Sequence, residues 1–197
     1  MKKLLFVALT AISIVGVSCS ERYELKQSLK AALEVAVEQD KAQAEVLIER
    51  TDEMPKTFET GKLVTANIYW WTSGFFPGSL WLLYEHTGDE QLRQYAEHFT
   101  SRLEPLKNYK GTHDLGFMVF CSFGNGYRLT GNEAYKDVIN QASASLATRF
   151  NPTVGCIRSW NTGRKERPEE DYIVIIDNMM NLEMLEWSGY SDLARKH

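Results

Sequence analysis

The sequence predicts an all-α protein built from hairpins that each pair an inner helix with an outer helix. Along residues 79–187, helices that are apolar on nearly every side alternate with amphipathic helices. A glycine followed by a helix-capping residue separates the two members of each pair. An apolar helix must be buried all round, whereas an amphipathic helix covers it from outside. Repeats of this unit form a curved double layer, either an α/α solenoid or a closed α/α toroid.

Residues 1–19 are typical of a secretory signal and are excluded from the predicted fold. Lys2 and Lys3 precede an uncharged apolar run that ends at Ser18 and Cys19. A cysteine after a small residue predicts cleavage before Cys19 and lipidation of its thiol. The alternative is an ordinary signal peptide with an incidental cysteine. We therefore expect a periplasmic protein or an outer-membrane-anchored lipoprotein of a Gram-negative bacterium, which contacts the membrane only through its lipid.

Residues 20–197 are enough for one domain with a real core. The formal net charge of the chain is −4, and removal of the two lysines of the signal makes it −6. This acidic balance argues against nucleic acid as a partner. An anionic substrate must then be held by local cations rather than by the overall field. The remaining cysteines, Cys121 and Cys156, are not required to pair by their spacing.

The predicted elements follow in order along the chain. Residues 21–50 form an amphipathic helix, and Pro55 and Gly61 mark a loop. The aromatic-rich stretch 69–84 begins as a loop and becomes an apolar helix at Ser79. The remaining predicted elements are an outer helix with apolar positions from 92 to 103, an inner helix at 115–129, an outer helix with apolar positions from 135 to 150, short extended pieces at 154–160 and 172–176, and an inner helix at 178–187 after which Asp192 caps the next helix.

Two carboxylates, Asp114 and Asp177, each stand where an apolar helix begins. Because burial of an ionised carboxylate is costly, each must be paired, cap a helix or serve in chemistry. Capping alone is worth about 1 kcal/mol. We interpret the two acids as facing each other across one pocket. Burial and a second carboxylate raise a pKa by up to about 3–5 units. This rise in pKa is larger than the opposite effect of the helix dipole. One of the two carboxyl groups is therefore expected to act as an acid beside the other, which acts as a base.

Other candidate residues surround these acids in the sequence. His113 either hydrogen-bonds a sugar hydroxyl or is a plain loop residue, and Trp71 and Trp160 lie beside loops where they can stack on sugar rings. Trp81 is expected in the core. The cations Arg158, Arg164, Lys165 and Arg167 either meet a carboxylate or sulfate or are solvated loop charges. The sequence has no cluster of His or Cys at ligand spacing and no phosphate-binding loop, so neither a metal nor a cofactor is predicted.

Four segments in series resemble glycoside hydrolase family 88, the unsaturated glucuronyl hydrolases. The segments are Trp71–Trp81, Thr112–Phe117, Ile157–Trp160 and Ile176–Leu182. The resemblance implies an (α/α)6 barrel, of which this chain holds about half. The related unsaturated rhamnogalacturonyl hydrolases share part of the pattern and are an alternative. A non-catalytic, surface-anchored glycan-binding protein and a plain helical scaffold are alternatives of other classes.

The resemblance also implies a substrate and roles for the residues singled out above. The substrate is an oligosaccharide with a Δ4,5-unsaturated uronic acid at its non-reducing end, released by hydration of the double bond. Asp177 matches the general acid/base and Asp114 the second essential acid. Trp71, His113 and Trp160 match positions around the sugar. Members of this family are about twice as long, and their later half supplies further contacts to the substrate.

Overall fold

The computed structural model describes residues 2–161 and 172–197, with side chains from residue 22 onward. The chain divides into two compact units, residues 1–39 and residues 40–197. The cations predicted at 164, 165 and 167 and the side chain of Cys19 lie outside the described residues. None of the described helices combines the length and apolar character needed to cross a membrane.

The first unit is helical and belongs to helix α1, Lys2–Leu47. Apolar side chains predicted to form its buried stripe are instead largely exposed, as Leu25 at 59% and Leu29 at 55% show. The amphipathic pattern therefore predicted the helix correctly but not the burial of its apolar face.

The second unit continues from the end of α1 into an antiparallel hairpin, β1 (Met54–Glu59) and β2 (Lys62–Ala66). The prediction that this stretch is a loop was wrong. Thr60 and Gly61 both take positive φ angles, 49° and 77°, which suit a two-residue turn between twisted strands. Pro55 is accommodated at a shift in the strand register.

Inner and outer helices alternate through the rest of the unit, as predicted. The first hairpin pairs α2 (Phe75–Thr87) with α3 (Glu90–Arg102), and a 3₁₀-helix follows at Glu104–Asn108. The second pairs a π-helix (Gly116–Gly124) that continues into α4 (Asn125–Thr130) with α5 (Glu133–Ala147). After the short strands β3 (Phe150–Asn151) and β4 (Cys156–Ile157), the third comprises a 3₁₀-helix (Ile176–Asn181), α6 (Leu182–Trp187) and α7 (Ser191–Lys196).

The turns inside the first two hairpins confirm the predicted capping. Gly88 and Gly131 are left-handed, with φ of 69° and 67°. The side chains of Asp89 and Asn132 then accept hydrogen bonds from the backbone of α3 and α5. The third turn differs, because Tyr190 rather than Asp192 stands at the cap position of α7.

The inner helices are less regular than the pattern predicted. Residues 116–124 form a π-helix, whose wider turns disturb the usual backbone bonding. Side chains bond to carbonyl groups along this stretch: Ser122 Oγ donates to the carbonyl of Met118 at 2.8 Å, and Asn125 Nδ2 to that of Cys121 at 2.9 Å. Cys121 and Cys156 are both free thiols.

Helix α2 packs against both α3 and the π-helix, so the first two hairpins are joined through it. Trp81 is fully buried and donates from Nε1 to Thr100 Oγ1 at 3.0 Å, which confirms its place in the core. Just before α2, a Cβ on Gly74 would lie 2.2 Å from the carbonyl oxygen of Phe117. Only glycine permits this approach, which brings the aromatic loop against the start of the π-helix.

A buried polar network joins the segment after Asp114 to the segment after Asp177. Asn181 Oδ1 accepts from the backbone N–H of Gly116 at 2.8 Å, and its Nδ2 donates to Asn178 Oδ1 at 3.0 Å. Asn178 Nδ2 in turn donates to the carbonyl of Ile157 at 3.0 Å and to Ser159 Oγ at 2.8 Å. Both asparagines are fully buried. The network fixes three segments that are distant in sequence.

We expect Asn181→Ala to lower the free energy of unfolding by about 1–3 kcal/mol, because it leaves the buried N–H of Gly116 without an acceptor. Urea denaturation measures this loss. The matched control is Asn125→Ala, which removes the two bonds of a half-buried amide, to the carbonyl of Cys121 and from the Arg128 guanidinium. Equal losses in the two variants would contradict the importance assigned to the network.

Asp40 predicts a pH dependence of stability. It lines a cavity of about 350 Å³ together with Lys56, Phe75 and Phe76, and burial raises its pKa from 3.8 to about 6. Between these two values the folded chain binds more protons than the unfolded chain, so this group lowers stability as pH rises through that range.

Asp40→Asn is therefore expected to raise the melting temperature at neutral pH, and this gain is expected to vanish below the unfolded pKa of 3.8. Thermal unfolding followed by circular dichroism at neutral and acidic pH measures both effects. Asp137→Asn, at an exposed position in α5, is the control. A gain that is the same at both pH values would show that burial of the charge is not its cause.

Candidate active site

Asp114 and Asp177 meet around the imidazole of His113. His113 Nε2 lies 3.1 Å from Asp177 Oδ1 and 3.3 Å from Asp114 Oδ1. The first acid directly precedes the π-helix segment, and the second lies in the first turn of the 3₁₀-helix at Ile176–Asn181. The Asn178–Asn181 network holds these two segments together. The structure therefore brings together the three polar residues singled out from the sequence.

The three side chains differ in their access to solvent. His113 is 1% exposed, Asp114 is 15% exposed and Asp177 is 39% exposed. Asp114 is further engaged by the hydroxyl of Thr112, which donates to its Oδ2. Asp177 is thus the more accessible carboxylate, and Asp114 is the more enclosed member of the pair. This difference in exposure suits Asp177 for exchange of a proton with a substrate and Asp114 for a supporting role beside it.

Helix capping does not account for either acid. The residues at the cap positions of the two helices are Leu115 and Ile175, and neither makes a capping bond with its side chain. The carboxylates bond instead to Thr112 and His113. The geometry therefore favours a role in binding or chemistry over the capping alternative.

The imidazole and the two carboxylates are also close enough to share a cation, because one ligand atom from each lies within 4.8 Å of the others. A histidine nitrogen between two carboxylate oxygens acts as an N–H donor, which leaves it no lone pair for a metal. The other nitrogen, Nδ1, is buried and has no hydrogen-bond partner among the described residues. The arrangement thus favours a hydrogen-bonded triad over a ligand set. The sequence predicted that Asp114 and Asp177 face one pocket, but it did not predict the hydrogen bond between His113 and Asp177, which are 64 residues apart.

Aromatic side chains border the triad. The ring of Trp160 lies 6.2 Å from that of His113, edge to face. Trp71 is 43% exposed and contacts Phe75 and Phe117, each at a centroid distance of 5.8 Å. Because Phe117 follows Asp114 by three positions, these contacts bring Trp71 to the same end of the π-helix. Trp160 therefore packs against the triad at His113, whereas Trp71 lies against Phe117 at the start of the π-helix.

Sequence reasoning missed the residues that position the site. Thr112 bonds to Asp114, while Asn178 and Asn181 hold the two acid-bearing segments in register. The one available signal was the spacing of the two asparagines directly after Asp177, at positions three apart where side chains share one helix face.

The chain is similar in sequence and structure to proteins of known activity. No protein-family model matches it. It is 50% identical over 116 residues to an unsaturated glucuronyl hydrolase of Formosa agariphila, an alignment that covers 58% of this chain and 28% of that protein. A solved structure of an unsaturated glucuronyl hydrolase specific for heparin is 38% identical, with a TM-score of 0.68, and the match covers 83% of this chain and 47% of that one.

A further solved structure, an unsaturated glucuronyl hydrolase variant with the oligosaccharide dGlcA-Glc-Rha-Glc, is 26% identical with a TM-score of 0.69. That match covers 82% of this chain and 46% of the other. These neighbours are (α/α)6 toroids, so the inner and outer helices described above are hairpin repeats of that fold. The chain spans less than half the length of the relatives that it matches. In sequence and in fold the chain is therefore similar to the unsaturated glucuronyl hydrolases.

Proposed function

We propose that the chain contributes to the removal of a Δ4,5-unsaturated uronic acid from glycosaminoglycan oligosaccharides produced by a lyase. The observation that carries this proposal is the triad: an accessible Asp177 is joined through His113 to an enclosed Asp114. The similarity to unsaturated glucuronyl hydrolases supports the choice of substrate class. The unsaturated oligosaccharide is the partner, and the proposed chemistry uses neither a cofactor nor a metal.

The proposed reaction is a hydration rather than a displacement at the anomeric carbon. Asp177 donates a proton to C4 of the double bond, water adds its oxygen to C5, and the proton lost by that water returns to the Asp177 carboxylate. The resulting hemiketal opens and expels the remaining sugar. The rule that links carboxylate separation to retention or inversion therefore does not apply. The scheme requires Asp177 to carry a proton when substrate binds, which stays a prediction.

The other residues orient this acid and the sugar. His113 donates from Nε2 to Asp177 and so fixes one carboxylate oxygen, which directs the other toward the substrate. Asp114 binds ring hydroxyls and stabilises positive charge that develops at C5. Trp71 and Trp160 supply apolar ring faces on which a sugar can stack.

A second candidate function is binding of the same glycans without turnover. The exposed Trp71 and Phe75 would serve such a role equally well. A rhamnogalacturonyl substrate stays an alternative for the enzyme.

Asp177→Asn is expected to reduce turnover at least about 10²-fold, since it removes the general acid. The assay follows loss of the ultraviolet absorbance of the conjugated double bond in unsaturated chondroitin and heparin disaccharides. Asp192→Asn, at an exposed position of α7, is the control and is expected to retain full activity. Equal activity of Asp177→Asn and the unaltered chain would refute the assigned role. Sugar binding without turnover by the unaltered chain would favour the second candidate.

We also propose that residues 1–19 export the chain and that Cys19 becomes lipidated. The apolar run after Lys2 and Lys3 and the position of Cys19 support this proposal. Cys19→Ser is expected to move the protein from the membrane fraction to the soluble fraction, because the lipid is its only proposed anchor. Cys156→Ser, at a free thiol of the second unit, is the control. A membrane fraction that persists in Cys19→Ser would contradict lipidation.

A further inference from the structure

A second pocket, of about 540 Å³, lies beside the segment that carries Trp160. Arg158 and Asn161 line it, whereas Trp160, between them in sequence, packs on His113. On another wall, Lys110 lines the pocket just before the Thr112–Asp114 segment. The pocket therefore shares two chain segments with the triad.

Three cations face this pocket: Lys110, Arg149 and Arg158. The ion pairs formed by the described residues involve none of the three. Apart from Pro152, the remaining described lining is polar or aromatic and includes Asn161 and Tyr172, and it contains no described carboxylate. Positive charge thus collects in a concave surface of a chain whose net charge is negative. Such a surface attracts anions locally even when the overall field does not.

The cations are held in place by neutral groups. The Arg149 guanidinium donates to the carbonyl oxygens of Arg158, Lys110 and Ser159 and to Asn161 Oδ1, at 2.8–3.0 Å. Carbonyl and amide acceptors orient the charge but do not neutralise it. Burial and then the nearby charge of Arg158 lower the pKa of Arg149, although an arginine stays charged in proteins.

Arg158 is in turn supported by Tyr172, because its guanidinium lies 4.8 Å from the centre of that ring. The hydroxyl of Tyr172 lies within hydrogen-bonding distance of the carbonyl oxygens of Arg149 and Cys156, at 3.0 and 2.8 Å, and can donate its single proton to either. The pocket is therefore built before any ligand arrives, and pre-organisation of this kind lowers the entropic cost of binding.

We propose that this basic pocket binds an oxyanion of the oligosaccharide, a sulfate ester or a carboxylate, on a sugar next to the one that contacts the triad. The proposal rests on the proposed function and specifies its substrate as one that carries a second anionic group. Arg158 stands two residues from Trp160, and an extended chain covers about 7 Å over two residues. Guanidinium groups bind oxyanions of this geometry through paired N–H donors.

Calorimetry with four ligands tests the proposal: an unsulfated unsaturated chondroitin disaccharide, its sulfated counterpart, an unsulfated tetrasaccharide with a second uronate, and inorganic sulfate. The chain carries Asp177→Asn so that no ligand is turned over. The pocket variant adds Lys110→Gln and Arg158→Gln. The matched control adds Lys62→Gln and Arg195→Gln, which remove the same two charges at exposed positions. Arg149 is left unchanged because its bonds support the fold.

We expect the sulfated disaccharide, the tetrasaccharide or both to bind about tenfold more tightly than the unsulfated disaccharide, which corresponds to one charge-assisted contact. The pocket variant should lose this gain and the control should keep it. The ligand that shows the gain identifies the source of the oxyanion. No gain for either sugar, a gain that survives in the pocket variant, or binding of inorganic sulfate only would overturn the proposal.

Failure of the proposed function is measured separately. The unaltered chain is assayed for loss of the double bond in the unsulfated disaccharide, which lacks the group assigned to the pocket. Absence of turnover together with a pocket-dependent gain in affinity would refute the hydrolase and retain the oxyanion site. Turnover without that gain in affinity would support the hydrolase and refute the oxyanion site.

Discussion

The candidate site depends on the buried hydrogen bonds of Asn178 and Asn181. Asn181 accepts from the N–H of Gly116, and Asn178 reaches the segment at Ile157 and Ser159. Because buried amides are costly unless fully bonded, each bond restricts the position of the others. Two carboxylates from separate hairpins can therefore share one imidazole.

The packing of the hairpins sets the direction in which this site faces. Gly74 lets the aromatic loop approach the carbonyl oxygens at the start of the π-helix, where Trp71 contacts Phe117. Trp160 packs edge to face against His113, and Arg158, two residues earlier in the chain, faces the basic pocket. Neighbouring segments of the chain thus carry an enclosed acid, an accessible acid, aromatic side chains and basic side chains. This combination matches a charged sugar better than a neutral one.

The sequence predicted the features that depend on local chemistry. Alternating apolar and amphipathic helices and the Gly88–Asp89 and Gly131–Asn132 turns follow from propensity and capping, and both are present. The π-helix at Gly116–Gly124 and the 3₁₀-helix at Ile176–Asn181 were missed, because their hydrogen bonds depend on contacts distant in sequence. The β-hairpin at Met54–Ala66 was missed because Pro55 and Gly61 indicate loops as readily as strand irregularities. The motif residues Asp114, His113 and Asp177 were identified, but their shared hydrogen bonds required the structure.

Incorporation of solvent deuterium during turnover tests the central claim, that a proton is added to C4 of the unsaturated sugar, most directly. The reaction is run in deuterium oxide, and the product is examined by nuclear magnetic resonance. Our account predicts one deuterium at C4 of the released uronate and none in the product formed in ordinary water. A released sugar that still carries its double bond, or a C4 without the label, would contradict it and indicate displacement at the anomeric carbon.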